Sequence, residues 1–339
     1  MSIRIIEGDC RDVLRTMPEN SVHCVVTSPP YWGLRDYGVD GQLGLEATYQ
    51  EHVVVMADIF DEVRRVLRDD GTLWLNYGDS YATSPNGRSA ADTKATGKDD
   101  RTFRDKPFST IQGVLKPKDL CGIPWRVAFA LQERGWYLRQ DIIWSKPNPM
   151  PESVQDRCTK AHEYIFMLSK SARYYYDIEA IKEPMSLSSV DRLSQDVEAQ
   201  TGSNRVPGKT NGTMKAVGKV DKQRGHGRRH AGFNDRWDAM ERAEQCTGMR
   251  NKRSVWEVAT QPFSEAHFAT FPPSLIEPCI KAGCPSGGIV LDPFGGAGTT
   301  GLVADRLQRN AILIELNPAY AEIARKRLST DAGMFAEVA

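Results

Sequence analysis

Apolar residues in this chain fall in short β-branched runs separated by amphipathic stretches. Ile3–Ile6 reads as a strand ending at Glu7-Gly8-Asp9, and Val22–Val26 as the next. Val53–Leu67 carries apolar residues at helical spacing; Asp69-Asp70-Gly71 breaks it, and Thr72–Leu75 begins another strand. The texture continues with Pro124–Arg134 (helix), Tyr137–Trp144 and Glu163–Leu168 (strands). It resumes later with Pro273–Ala282 (helix), Gly288–Leu291 (strand), Ala304–Arg309 (helix), Ala311–Ile314 (strand) and Pro318–Leu328 (helix). Strands alternating with helices predict an α/β protein.

Two stretches interrupt the pattern. Ala82–Gly113 is polar, carries Lys94, Lys98, Arg101, Arg104 and Lys106, and reads as a long mobile loop. Ser186–Arg253 is rich in Gly, Asn and Ser, with 14 Lys and Arg against 8 Asp and Glu, a local charge of +6. Such composition suits a solvated insertion. Phe233 and Trp237, interleaved with Arg228, Arg229 and Arg236, favour a nucleic-acid surface instead. The chain thus divides into 1–185, 186–253 and 254–339.

Composition narrows the class. Lys+Arg and Asp+Glu both total 44 in 339 residues, so overall charge does not speak for or against nucleic acid. No run approaches the ~18 apolar residues of a membrane span. Met1–Ile5 lacks the apolar core of a signal peptide and reads as a first strand. The seven scattered cysteines, without a paired C-x-x-C, suit neither a disulfide framework nor a zinc site. A reduced, cytoplasmic setting is expected, with no metal and no membrane.

Thr27-Ser28-Pro29-Pro30-Tyr31 follows the Val22–Val26 strand directly. Two prolines cannot continue a sheet, so the chain leaves it rigidly at the carboxyl end, where open α/β sheets place their ligands. Fixed carbonyl acceptors beside an aromatic plate suit a flat base bearing an exocyclic amino group. A strand-ending turn with a tyrosine lid is the plainer reading.

Near the other end, Val290-Leu291-Asp292-Pro293-Phe294-Gly295-Gly296-Ala297-Gly298-Thr299-Thr300-Gly301 reads as strand, glycine turn and helix start. Gly296, Gly298 and Gly301 satisfy G-x-G-x-x-G, and Glu315 ends the next strand, where a carboxylate can accept ribose hydroxyls. A nicotinamide-dependent oxidoreductase is therefore a rival. Yet only 24 residues follow Glu315, so the sheet must be completed by the amino-terminal half. Asp292 and Phe294 also stand where a pyrophosphate would want bare amides. A small cationic ligand with its own carboxylate fits better, and S-adenosyl-L-methionine answers that description. Asp9 could accept from its adenine amino group, or simply cap a helix at Val13-Leu14.

With these residues in hand, the chain resembles the amino-methyltransferases of DNA, the N6-adenine and N4-cytosine enzymes, in their permuted beta arrangement. Ser28-Pro29-Pro30-Tyr31 matches that family's catalytic segment, and Asp292–Thr300 its cofactor motif. His267–Pro272, with Phe271, resembles the segment that closes over the cofactor, and Ile142–Pro151 a later loop of the catalytic half. Ser186–Arg253 stands where the target-recognition region belongs.

The resemblance implies a Rossmann-like methyltransferase sheet, mostly parallel with one antiparallel strand, circularly permuted, plus an inserted irregular recognition region. It also implies double-stranded DNA as substrate, base flipping, a homodimer, and a place in a restriction-modification system. Ser28, Pro29, Pro30 and Tyr31 would be catalytic. Asp9, Thr27, Phe271, Asp292, Phe294, Gly295, Gly296, Gly298, Thr299, Thr300 and Glu315 would hold the cofactor. Lys146, Asn148, Arg228, Arg229 and Arg236 would meet DNA, while Trp32 and Arg35 either line the pocket or pack elsewhere. The only Pro-Cys pair, Pro278-Cys279, lies in an expected helix, which argues against C5-cytosine chemistry. Ser at the first motif position leans toward cytosine N4, but adenine N6 presents the same amidine edge. A methyltransferase acting on RNA or protein amides remains a further alternative.

Overall fold

The computed structural model describes residues 2–84, 107–188, 190, 248–261, 270–331 and 337–338. Much of the expected loop and of the basic insertion, with Arg228, Arg229 and Arg236, lies outside the described residues, as do His267–Ala269. The chain divides into two units, 1–181 with 253–339, and 182–252.

The first unit runs β1 (Ser2–Glu7), α1 (Cys10–Thr16), β2 (Val22–Thr27), α2 (Tyr49–Val66), β3 (Leu67–Tyr77), α3 (Ile123–Glu133), β4 (Tyr137–Ser145) and β5 (His162–Ser169). The second unit contributes the short pair β6 (Glu183–Pro184) and β7 (Met249–Arg250), whose Glu183 and Arg250 form an ion pair at 3.0 Å. The first unit then resumes with β8 (Val255–Glu257), α4 (Pro273–Gly283), β9 (Ile289–Asp292), α5 (Thr299–Arg306), β10 (Asn310–Glu315), α6 (Pro318–Asp331) and β11 (Glu337–Val338).

Nine of these strands form one sheet in the order β11-β1-β10-β9-β2-β3-β5-β4-β8. Every pairing is parallel except those of β5, which runs opposite to both β3 and β4. The α/β sheet with one antiparallel strand is therefore observed. No helix of the described residues is long and apolar enough to cross a membrane.

Strand side chains alternate between faces, and the two faces bury separate clusters. Val25, Leu73, Leu75 and Phe166 pack under α1, α2 and α3, through Leu14, Phe60, Val63, Val127 and Leu131. Cys24, Val26, Trp74 and Met167 pack under α4, α5 and α6, through Ile276, Ile280, Leu302 and Leu328. Strands covered on both sides read as unbroken apolar runs, which is why β2 was conspicuous in the sequence.

Two boundaries differ from the sequence reading. Asp69-Asp70-Gly71 does not terminate the helix; α2 ends at Val66, and these residues form a bulge inside β3. Val22 pairs with Leu67 while Cys24 pairs with Thr72. A Cβ on Gly71 would lie 2.5 Å from the Leu67 side chain, so the bulge needs glycine there. Helix α2 begins four residues earlier than its apolar periodicity, because Thr48 and Glu51 form a capping box. Helix α5 begins at Thr299, where the glycine turn predicts a helix start, and is capped by Gly298 at φ 76°, a left-handed conformation that favours glycine.

Candidate active site

Parallel pairing of β2 with β9 joins Cys24 to Val290 and Val25 to Leu291. The two motifs, more than 250 residues apart in sequence, thus leave the sheet side by side at one edge. The carboxyl ends of β1, β10, β3 and β4 reach that edge too. Because β5 is antiparallel, its amino end arrives there, with Tyr164 opposite Tyr77 and His162 opposite Ser145.

A cavity of about 730 Å³ opens at this edge. Its lining includes Ser28, Pro29, Pro30 and Tyr31 with Asn76, Gly78, Lys146 and Glu163, and Asp292, Phe294, Gly295, Gly296, Thr299 and Glu315 with Asp9 and Phe271. In sheet order Glu315 lies toward β10, Asp292 and Ser28 stand at the ends of adjacent β9 and β2, and Glu163 lies toward β5. Ligand sites of this size are ordinary for cofactor-binding proteins.

The glycine loop is held by two carboxylates. Asp292 is 1% exposed and accepts from the hydroxyls of Thr27 and Thr300, both at 2.6 Å, and from the Phe294 amide at 3.1 Å. Burial pushes its carboxyl up to about 6, opposed by those hydrogen bonds. Glu315 accepts from the Asn317 amide on one oxygen and the Gly296 amide on the other, both at 2.8 Å, and burial raises its carboxyl.

Three residues expected at the cofactor sit behind the wall. Thr27 and Thr300 are fully buried and act on Asp292, while Gly298 packs on Ala324 and Leu328. Asp9 borders the cavity, but it also caps α1 through the Arg11 amide at 2.8 Å. The Arg11 guanidinium grips its carboxylate and holds it below the usual range.

At the proline motif, the Tyr31 ring stacks on Tyr77 with centroids 5.1 Å apart and planes 18° apart. Tyr77 is itself anchored from below. Its hydroxyl meets Nε2 of the fully buried His52 at 2.5 Å, and His52 Nδ1 meets Glu46 Oε2 at 2.7 Å. The Tyr31 hydroxyl donates to Glu163 at 3.0 Å and lies 3.3 Å from Ser28 Oγ. Asn76 and Lys146 also donate to Glu163. Glu163, Asn76 and Tyr77 carry no motif signal in the sequence; the register of β3 against β5 brings them together.

Lys146 is paired with Glu163 and lies over the Trp144 ring at 4.2 Å, inside the cavity. Asn148 borders the cavity as well, but its amide clasps the Thr260 backbone, accepting at 2.9 Å and donating at 3.2 Å. Trp32 is a core residue, 1% exposed, bonded to the Glu46 carbonyl, whereas Arg35 lines the cavity.

Comparison with known proteins accords with this geometry. The profile of the N6/N4 DNA methylase family matches residues 22–326. Type II methyltransferase M.Cfr9I of Citrobacter freundii is 46% identical over 324 residues, covering 96% of this chain and 87% of that protein. Type II methyltransferase M.SmaI of Serratia marcescens is 43% identical over 327 residues, covering 96% and 91%. The fold is shared with PvuII DNA methyltransferase (cytosine-N4-specific), at TM-score 0.55 and 19% identity over 95% of this chain and 86% of that one. It is shared also with a Thermus thermophilus protein solved with S-adenosyl-L-methionine, at TM-score 0.56 and 23% identity over 99% and 97%. With its two motifs meeting at one cavity and its relatives matching almost end to end, this chain belongs to the N6/N4 DNA methylase family and is a DNA methyltransferase.

Proposed function

We propose that the enzyme moves the methyl group of S-adenosyl-L-methionine to the exocyclic amino group of a base, adenine at N6 or cytosine at N4, flipped out of duplex DNA. The observation that carries this reading is that one cavity is lined both by Ser28-Pro29-Pro30-Tyr31 and by Asp292 and Glu315.

The glycine-loop side supplies what a sulfonium amino acid needs. Asp292 faces the ammonium, backbone amides of the glycine loop face the carboxylate, and Glu315 accepts from the ribose hydroxyls. The Thermus thermophilus relative, solved with this cofactor, has the same fold.

A base stacked in duplex DNA cannot reach such a cavity, so the target nucleotide must be extruded. Tyr31 stacks on it, while Ser28 Oγ and the Pro29 carbonyl accept from its amino hydrogens. The amino lone pair is otherwise delocalised into the ring. Two acceptors favour the pyramidal nitrogen and localise that pair for in-line attack on the methyl carbon. Transfer would form the nitrogen–methyl bond as the sulfur–methyl bond breaks with its electron pair left on sulfur, and the cationic amino nitrogen would then release one proton to solvent. Positioning and electrostatics supply the acceleration, with no covalent enzyme intermediate.

The test is incubation with duplex DNA and methyl-labelled cofactor, then digestion to nucleosides. Label in N6-methyladenine or N4-methylcytosine is expected and names the base. Label in RNA or protein but not in DNA would sink the reading.

Gly78 provides a milder check. A Cβ there would stand 2.6 Å from the Tyr31 ring and 3.2 Å from the Glu163 carboxyl carbon. Gly78→Ala must therefore displace Tyr31, and turnover should fall by about tenfold while the overpacking costs ~1–3 kcal/mol. Turnover measured beside a melting curve checks it; unchanged turnover would contradict the placement of Tyr31.

A further inference from the structure

We infer that Glu163 is a positioning residue that fixes the direction of the hydroxyl hydrogen bonds in the base pocket, so that Ser28 presents an acceptor to the incoming amino group. The inference rests on the methyl-transfer reading above and goes beyond it. Three donors converge on this one carboxylate. Lys146 Nζ meets Oε1, while Tyr31 Oη at 3.0 Å and Asn76 Nδ2 at 3.4 Å meet Oε2.

A carboxylate paired with a lysine only accepts. Tyr31 must therefore give its single proton to Glu163, and its oxygen is left as an acceptor. Ser28 Oγ, 3.3 Å away, then donates to Tyr31. That uses the one serine proton, so the remaining lone pairs of Ser28 are available to the cavity that it lines. The chain runs one way, Ser28 to Tyr31 to Glu163, and each bond in such a chain strengthens the next.

The consequence is selection by polarity. An amino group meets an acceptor at Ser28. A ring carbonyl at the same place meets lone pairs with its own lone pairs, and is turned away. The tyrosine hydroxyl thus has a role separate from its ring, which stacks.

A double-mutant cycle on the full chain with duplex DNA tests this. Glu163→Gln replaces an acceptor-only group with one that can donate to Tyr31 and reverse the chain. We expect kcat to fall by roughly 30-fold with cofactor affinity within about twofold of the parent. Tyr31→Phe keeps the ring and removes the relay hydroxyl. In that background Glu163→Gln should cost less than about threefold more, because coupled residues do not add. Equal costs in both backgrounds would overturn the inference and assign Glu163 to holding Lys146 or Asn76. Unchanged kcat in the single variant would overturn it as well.

A second measurement needs no change at Glu163. Duplexes carrying the target base, or its counterpart with a carbonyl in place of the amino group, are compared for binding. The parent should prefer the amino form, and Tyr31→Phe should narrow that preference. A preference untouched by Tyr31→Phe would count against the chain. Absence of DNA methylation by the parent protein is a different outcome, which sinks the functional reading before the cycle begins.

Discussion

Replacing Asp292 with alanine should weaken S-adenosyl-L-methionine binding by roughly 100-fold, and replacing it with asparagine should also erase a pH dependence near 6. Asp292 is buried, and both its oxygens are fixed by threonine hydroxyls at 2.6 Å. A charge held in place before the ligand arrives needs no reorganisation when an ammonium binds. Truncating one partner of such a buried charge pair costs on the order of 2–5 kcal/mol. The pH behaviour follows from burial, which pushes this carboxyl up to about 6 from its ordinary 3.8. Between those values the folded protein holds a proton that the unfolded chain has released. The contribution of Asp292 to stability therefore falls as pH rises through that window, the reverse of a salt-bridged aspartate. An ammonium ligand favours the ionised form. Affinity should then rise from pH 5 to 7, by up to about tenfold per unit below 6, and level off above. Calorimetric titration across that range checks both statements. A flat profile in the parent protein, or unchanged affinity in Asp292→Ala, would remove Asp292 from the ammonium site.

Much of the site was legible because its parts are local. Two prolines after a β-branched run force a rigid exit at Ser28, and a glycine turn between strand and helix marks Asp292–Gly301, whatever the tertiary structure. Juxtaposition was not local. The pairing of β2 with β9 depends on sheet order, and only the family resemblance foretold one antiparallel strand. Reversal of β5 delivers Glu163 to the carboxyl edge, which its position in an apolar run does not disclose. Thr27 and Thr300 illustrate a related limit: motif membership marked them for the cofactor, yet both are buried on Asp292. Asp69-Asp70-Gly71 has the composition of a turn, and periodicity cannot separate a turn from a bulge over so few residues. The start of α2 was readable in principle, since Thr48 and Glu51 carry the capping-box spacing. Helix α1 has only seven residues, too few for an apolar stripe to stand out, although Asp9 was visible as its cap.

Ser28→Ala should lower kcat by about 100- to 1000-fold while leaving cofactor affinity within about twofold, the loss expected when one preorganised partner of the reacting group is removed. In the proposed mechanism the serine hydroxyl accepts from the amino group that is about to become nucleophilic, so its effect would grow toward the transition state. Little of it is realised when substrate merely binds. Ser28 and Asp292 stand at the ends of neighbouring strands, joined through the Thr27 hydroxyl, but the proposed partners differ, so the two alanine variants should divide the kinetics between them. Asp292→Ala should raise the cofactor KM with a smaller change in kcat, and Ser28→Ala should do the reverse. Tyr31→Ala belongs with Ser28→Ala, since it removes both the stacking plate and the hydroxyl that Ser28 meets at 3.3 Å. Stopped turnover with intact cofactor binding, read by single-turnover methyl transfer beside calorimetry, would assign the Ser28 motif to the base. If Ser28→Ala or Tyr31→Ala lost cofactor binding as severely as turnover, the two roles would not be separable. The base pocket would then have to be sought elsewhere along the cavity.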